Sequence, residues 1–243
     1  MNTRRRTGAS AALLALTAFA CGGEPPPPAP APVAETQGDE APAPAEPVAT
    51  NPDDDLSVEG ILGAISEQSV RRGMEARQGR FLRCFGARYE ANELLAGSFT
   101  FSGRIRTDGA VRWVYLAESD VGDRPTEACL VGVAEAARFT RPRGGEAEFR
   151  YAMAVDALER PAVDWPAERA AATVAEHGEG IGACNAAGVR VTAYVAPGGS
   201  VTTAGATVDD PERQDVLDCV VTEVQAWTFP DPGSYPAKVG FTL

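Results

Sequence analysis

Residues 97–153 and 187–243 align on one another at a constant offset of 90, without a gap. Gly109 falls on Gly199, Val111 on Val201, Asp120 on Asp210, Cys129 on Cys219 and Val131 on Val221. Further on, Phe139 meets Phe229, Pro142 meets Pro232, Ala147 meets Ala237 and Tyr151 meets Phe241. The coincident types are a turn glycine, core apolars, a cysteine and a proline, which serve a backbone rather than a reaction. Self-similarity of this kind means one small unit used twice. It favours a function carried by a shaped surface over one carried by a single catalytic cluster.

The pattern inside each copy predicts the unit. From Ser57 onward Val58, Ile61, Leu62 and Ile65 recur at helical spacing, behind Asp55 or Ser57 as N-cap. A second helical run carries Phe81, Leu82, Cys84 and Phe85 and ends near Gly86 or Tyr89. The period then changes to two. Phe99, Phe101 and Ile105 alternate with polar residues, Asp108–Gly109 supplies a turn, and Val111, Trp113 and Tyr115 alternate back, a strong hairpin signal. Ser119 or Asp120 is expected to cap a helix running to about Ala137, with Cys129, Leu130, Val133 and Ala137 inward. Phe149, Tyr151, Met153 and Val155 form a last strand after Gly144–Gly145.

The second copy predicts a helix over Pro166–Ala183 and strands over Val189–Val195 and Val201–Thr207. A helix over Asp210–Ala226 and a strand over Ala237–Leu243 complete it. Cys184 stands 100 positions after Cys84 rather than 90, so residues around 87–95 belong to the first copy alone, and the break between copies falls near 156–164. The expected fold is α+β, two tandem repeats of helix-strand-strand-helix-strand at 56–156 and 165–243, each with a three-stranded antiparallel sheet on helices. Three strands leave two edges, and an unblocked edge is a ready dock for an extended peptide or a neighbouring domain.

At the N-terminus, Arg4–Arg6 precede an apolar stretch, Ala9–Ala20, that is too short to span a bilayer. Ala18, Phe19 and Ala20 lead into Cys21, a run that resembles a bacterial lipoprotein lipobox and implies lipidation of Cys21 after removal of residues 1–20. An ordinary signal peptide cut after Ala20 is the competing reading. Residues 21–55 hold Pro25–Pro28, Pro30, Pro32, Pro42, Pro44, Pro47 and Pro52 among Ala, Glu and Gly. Proline fixes φ and lacks a donor, so this tract reads as a solvated, polyproline-like tether, with a reach of about 90 Å if extended. The expected location is the cell envelope, on the outer membrane facing the periplasm, with the lipid as the membrane contact.

The chain has 22 basic and 34 acidic residues, and loss of the leader's three arginines takes the net charge from −12 to about −15. That balance argues against nucleic acid and against adsorption onto anionic lipid. Beyond Cys21 the cysteines fall two per copy. Repeat symmetry pairs Cys84 with Cys129 and Cys184 with Cys219, and an oxidising compartment would close each bridge for about 3–4 kcal/mol. Zinc competes only if all four cysteines converge, since no CxxC spacing occurs and His177 is the single histidine.

The remaining chemistry-bearing residues read blandly. His177, between Glu176 and Glu179 in a helical stretch, is expected to face solvent; no Gly-x-Ser-x-Gly is present. Asp209, Asp210 and Glu212 could suggest calcium, but the match of Asp210 to Asp120 favours helix caps. Gly144–Gly145 and Gly198–Gly199 are turns, not phosphate loops. Trp227 is expected in the core. Trp113 and its neighbour Tyr115 are the candidate binding residues, because the second copy has Thr203 where the first has Trp113.

A cysteine-bearing helix, strand–Asp-Gly–strand, then Asp120, Val121, Gly122, Asp123, Cys129 and Phe139–Pro142, ending in Gly144–Gly145 and an alternating strand, is a distinctive order. It resembles the TonB-like C-terminal domain of myxobacterial motility proteins of the AgmX/PglI type. The second copy adds Cys219, the run Trp227-Thr228-Phe229-Pro230 and the closing Val239, Phe241 and Leu243. The likeness covers roughly 57–156 and 165–243, and it implies a periplasmic interaction domain. The expectation is therefore a non-enzymatic envelope lipoprotein, with no cofactor, metal or small-molecule substrate. It would bind another envelope protein through a sheet edge or the hairpin face, in a motility or transport assembly. The alternative is a cell-wall or glycan-binding lipoprotein using its aromatic residues.

Overall fold

The computed structural model describes residues 62–243. The expected leader, Cys21, the tether and the front of the first expected helix at 57–61 lie outside them. The described residues are α+β. In chain order they form α1 (Glu67–Glu75), α2 (Gln78–Gly86), β1 (Gly97–Ile105), β2 (Val111–Ser119), α3 (Arg124–Glu135) and β3 (Ala147–Val155). The second half continues with β4 (Val163–Trp165), α4 (Ala171–Ile181), β5 (Arg190–Val195), β6 (Val201–Thr207), α5 (Val216–Gln225) and β7 (Ala237–Thr242).

One sheet has the order β2-β1-β3 and the other β4-β7-β5-β6. In both, a hairpin is followed by a helix that returns the chain to the far side of the hairpin's first strand. The halves agree in detail at the offset of 90. Pairing slips at Arg104/Ile105 in the first hairpin and at Tyr194/Val195 in the second. The turn glycines Gly109 and Gly199 sit at φ 86° and 89°, where a side chain is strained, and their carbonyls accept the N–H of Phe139 and Phe229 at 2.9 and 2.8 Å.

Alternation decides what each sheet buries. Phe99, Phe101 and Ile105 of β1 point at Phe81 and Phe85 of α2 and at Leu130 and Ala134 of α3. Val191, Ala193 and Val195 of β5 point at Leu217, Val220 and Val224 of α5, with Trp227 and Phe229 closing that core. Each valine, leucine, isoleucine or phenylalanine among these contributes on the order of 1.5–3 kcal/mol by leaving water. The disulfides Cys84–Cys129 and Cys184–Cys219 form within their own halves, with Cα atoms 5.8 and 5.6 Å apart. They tie α2 to α3 and the single 3-10 turn Gly182–Cys184 to α5.

Four expectations need correction. Leu62–Ser66 is not helical: Ala64 pairs with Arg143, and α1 starts only after Ser66, whose hydroxyl caps the Ser69 N–H at 3.3 Å. The cap of α3 is Asp123, not Ser119 or Asp120. Asp123 accepts Thr126 N–H at 3.1 Å, with Pro125 in the first turn, while Asp120 is held back by Ser98 N–H at 2.6 Å. Cys129 lies on the exposed flank of α3, and Thr126, Glu127, Leu130 and Ala134 form its inner face. Finally, the second sheet has a fourth strand. β4 runs parallel to β7 and comes from the stretch read as a break, too short at three residues to show a period.

The halves are not separate beads, because residues 62–243 lie within one compact unit. Tyr194 of β5 points away from its own helices into the first half's core and is 1% exposed. Its hydroxyl donates towards the carbonyls of Leu94 and Ala96 at 3.2 and 3.1 Å and accepts Ala96 N–H at 3.2 Å. Burial pushes its ionisation up to about 12. Asn92, from the segment unique to the first half, donates to Thr203 Oγ1 at 2.9 Å, both side chains being buried.

Candidate interaction face

The side of the first sheet turned away from α2 and α3 carries the candidate binding residues. Cross-strand register places Arg104 opposite Trp113 on one side and opposite Glu148 on the other. Its guanidinium lies 5.8 Å from the Trp113 ring centroid and donates to Glu148 at 2.7 Å. One row along, Ser102 faces Tyr115 and Arg150, and Arg150 stands 3.5 Å from Glu118. The face is thus an aromatic–guanidinium pair set in a lattice of exposed opposite charges. Each exposed ion pair contributes at most about 1 kcal/mol, so the lattice can be rearranged cheaply by an incoming partner.

The two expected binding residues have different surroundings. Trp113 is half-buried. Tyr115 stacks on it at 5.8 Å but is only 7% exposed, and its hydroxyl donates to Asp209 at 3.0 Å. Burial is the main cause that raises the Tyr115 ionisation. Tyr115 therefore supports Trp113 from behind and joins the two halves; it does not offer itself to solvent. Arg104 was not among the residues singled out from the sequence: counting back from the Asp108–Gly109 turn sets it opposite Arg112, and only the slip at Arg104/Ile105 brings it opposite Trp113.

The other sequence candidates resolve into structure. His177 stacks on Trp227 at 5.1 Å and 14°, half-buried rather than solvent-facing, and Trp227 is in the core as expected. Asp210 caps the 3-10 turn Pro211–Arg213 by accepting Glu212 N–H at 2.9 Å. Asp120 caps no helix; besides Ser98 it lies 3.5 Å from Lys238 Nζ. Among the described residues, no group of three or more His, Cys, Asp or Glu side chains converges on a metal position.

The most displaced carboxyl is Glu127, which no sequence signal marked. It is 1% exposed at the junction of α3, β2 and β6. Its two oxygens accept Ser119 Oγ–H at 2.9 Å and the Ala206 N–H of β6 at 3.0 Å. Burial pushes its pKa up to about 7 against the pull of those two donors. Gly205 leaves room for it, since a Cβ there would push the carboxylate from its present place. The buried Asp123 is paired with the half-buried Arg88: Nε and one terminal nitrogen of the guanidinium donate to the two Asp123 oxygens at 3.0 and 3.1 Å. That pairing raises the Arg88 ionisation further. No family model, curated protein or solved structure matches this chain.

Proposed function

We propose that this chain is a non-enzymatic lipoprotein of the cell envelope, anchored through Cys21 and held off its membrane by the 21–55 tether. Its tandem TonB-like repeats bind another envelope protein through the hairpin face of the first repeat, within a motility or transport assembly. The observation that carries the reading is the Arg104–Trp113 pair on an open sheet face, backed by the immobilised Tyr115. Tryptophan and arginine are the side chains most enriched where protein interfaces concentrate their energy. The most displaced ionisations supply a second support. Glu127 and Tyr194 lie at the join of the two halves, where they serve architecture rather than an open cleft.

The test is affinity capture from detergent-solubilised envelopes of the source cells, with Trp113→Ala and Arg104→Ala as paired controls. One protein should be recovered by the parent chain and lost at least about tenfold from either variant. Equal recovery by all three, or recovery of cell-wall fragments alone, overturns the protein-partner reading. The second outcome would favour the glycan-binding alternative.

A further inference from the structure

The chain's negative charge is not spread evenly. Residues 62–86 and 135–143 carry eight arginines against three carboxylates, Glu67, Glu75 and Glu135. The remaining described residues carry 11 basic and 22 acidic side chains. An acidic total argues against anionic surfaces only where the charges are mixed. Screening limits the reach of each charge to about 8 Å at physiological salt, so a basic region answers to its own neighbours.

The fold brings the two segments together. Ala64 bridges Arg143, the Ser69 and Thr140 hydroxyls bond, and the Phe139 ring packs against Gly73 of α1. Arg77 closes this strip by donating to the Ala136 carbonyl. α2 begins at the next residue and buries Phe81, Cys84 and Phe85. The helical period then turns Arg83, Gly79 and Gly86 outward, with Arg80 and Leu82 to either side. A Cβ on Gly79 or Gly86 would meet no atom within 4 Å, so the described residues leave this face of α2 uncovered.

Seven of the eight arginines lack a carboxylate. Arg71, Arg72, Arg80 and Arg83 are exposed, as are Arg138, Arg141 and Arg143, and none forms an ion pair among the described residues. Elsewhere Arg88, Arg104, Arg112, Arg124 and Arg150 each find one. Leu82 stands among the free cations at 50% exposure. The grooves of about 340–440 Å³ on the described surface hold only Arg71 of the seven. Cations that these grooves do not gather suit a planar array of anions better than one inserted acidic side chain.

We propose that this arginine pole seats the domain on an anionic phospholipid surface, with the guanidinium groups on lipid phosphates and Leu82 in the headgroup layer. The planar fork of arginine matches phosphate, and a basic face bearing exposed leucine is the composition of segments that lie on membranes. α2 packs on the core side of the first sheet, whereas Arg104 and Trp113 lie on the other side. A molecule seated on its arginine pole therefore keeps the hairpin face turned away from the lipid. The lipid contact does not depend on the partner reading.

Sedimentation with lipid vesicles tests this, using the unlipidated chain from Gly22 onward with no partner added. Vesicles of about 30% phosphatidylglycerol in phosphatidylcholine should bind at least about tenfold more tightly than phosphatidylcholine alone. Salt at about 0.5 M should remove the difference. An arginine near an anionic surface is worth about fivefold, so Arg80→Gln/Arg83→Gln should weaken binding about 25-fold. Arg160→Gln/Arg169→Gln removes the same charge from exposed positions of the second half and should change binding less than about twofold. The urea midpoint of each variant separates lost binding from lost fold. If Arg80→Gln/Arg83→Gln shifts it, Arg138→Gln/Arg141→Gln carries the same expectation. Equal binding to both vesicle types overturns the proposal. So does equal loss from the variants of the two halves, since net charge alone would then govern. Binding to polyglutamate without binding to vesicles also overturns it and assigns the pole to an acidic protein.

Discussion

At equivalent positions the two sheets show opposite faces to the world. Arg104, Trp113 and Tyr115 of the first correspond to Tyr194, Thr203 and Gly205 of the second. On the first sheet they make a charged, aromatic surface of which only Tyr115 is covered. On the second, Tyr194 and Thr203 are 1% and 2% exposed, and Gly205 lies against Glu127. Both hairpins slip at the equivalent step beside the turn, though the first slips again at Thr100/Phe101 where the second does not; at these three positions the difference lies in side-chain size and polarity. Small residues and one tyrosine let the second sheet accept α3 and the 87–96 segment; long charged ones keep the first sheet wet. A repeated scaffold thereby becomes asymmetric, with one face used for cohesion and one free for contact.

The comparison can be broken from its buried side. Tyr194→Ala should cost about 3–5 kcal/mol in urea unfolding, because it empties a ring-sized space and strands the Ala96 N–H. A cost below about 1 kcal/mol would mean that the second sheet's outer face is not holding the halves together.

Glu127 sharpens the same comparison through pH. Its pKa rises from 4.5 to about 7 on folding, so the folded state prefers the neutral acid. The stability this group contributes is full below about pH 4.5 and is lost as pH rises through 7, by about 3 kcal/mol. Glu127→Gln keeps an acceptor for Ala206 and a donor for Ser119 Oγ. The variant should match the parent at pH 4 and exceed it by about 2–3 kcal/mol at pH 8, measured by urea titration at both pH values. A constant difference across that range would remove Glu127 as the titrating group.

The smallest effect is expected on the open face. Trp113→Ala should change the unfolding free energy by less than about 1 kcal/mol, since a half-buried surface ring gives up little packing. A loss as large as that of Tyr194→Ala would show that the two faces are structurally equal after all.

Much of this architecture is written in local sequence. The hairpins, the helix that follows each, and the turn glycines come from periods of two and 3.6 and from the φ that only glycine tolerates. The two disulfides follow from symmetry. What is not legible is what crosses between the halves. Tyr194 stands at an alternating position and reads like any outward strand residue; its burial depends on a segment 98–100 residues earlier. The 87–95 insert is visible as unshared, but that Asn92 meets Thr203 is not. Glu127 looks like an ordinary helical glutamate until β6 is laid beside it. Asp120 and Asp123 are both plausible caps in sequence, and only the demand of Ser98 N–H for Asp120 separates them.

Both disulfides close within one half, and none among the described residues spans the two. Under tension applied between Leu62 and the C-terminus, the noncovalent seam at Tyr194, Asn92 and Glu127 is what parts first. The 45 and 35 residues enclosed by the bridges cannot pay out, which withholds roughly 270 Å of contour length. A pulled molecule would lengthen in one early step and then stiffen, as a spring with a stop.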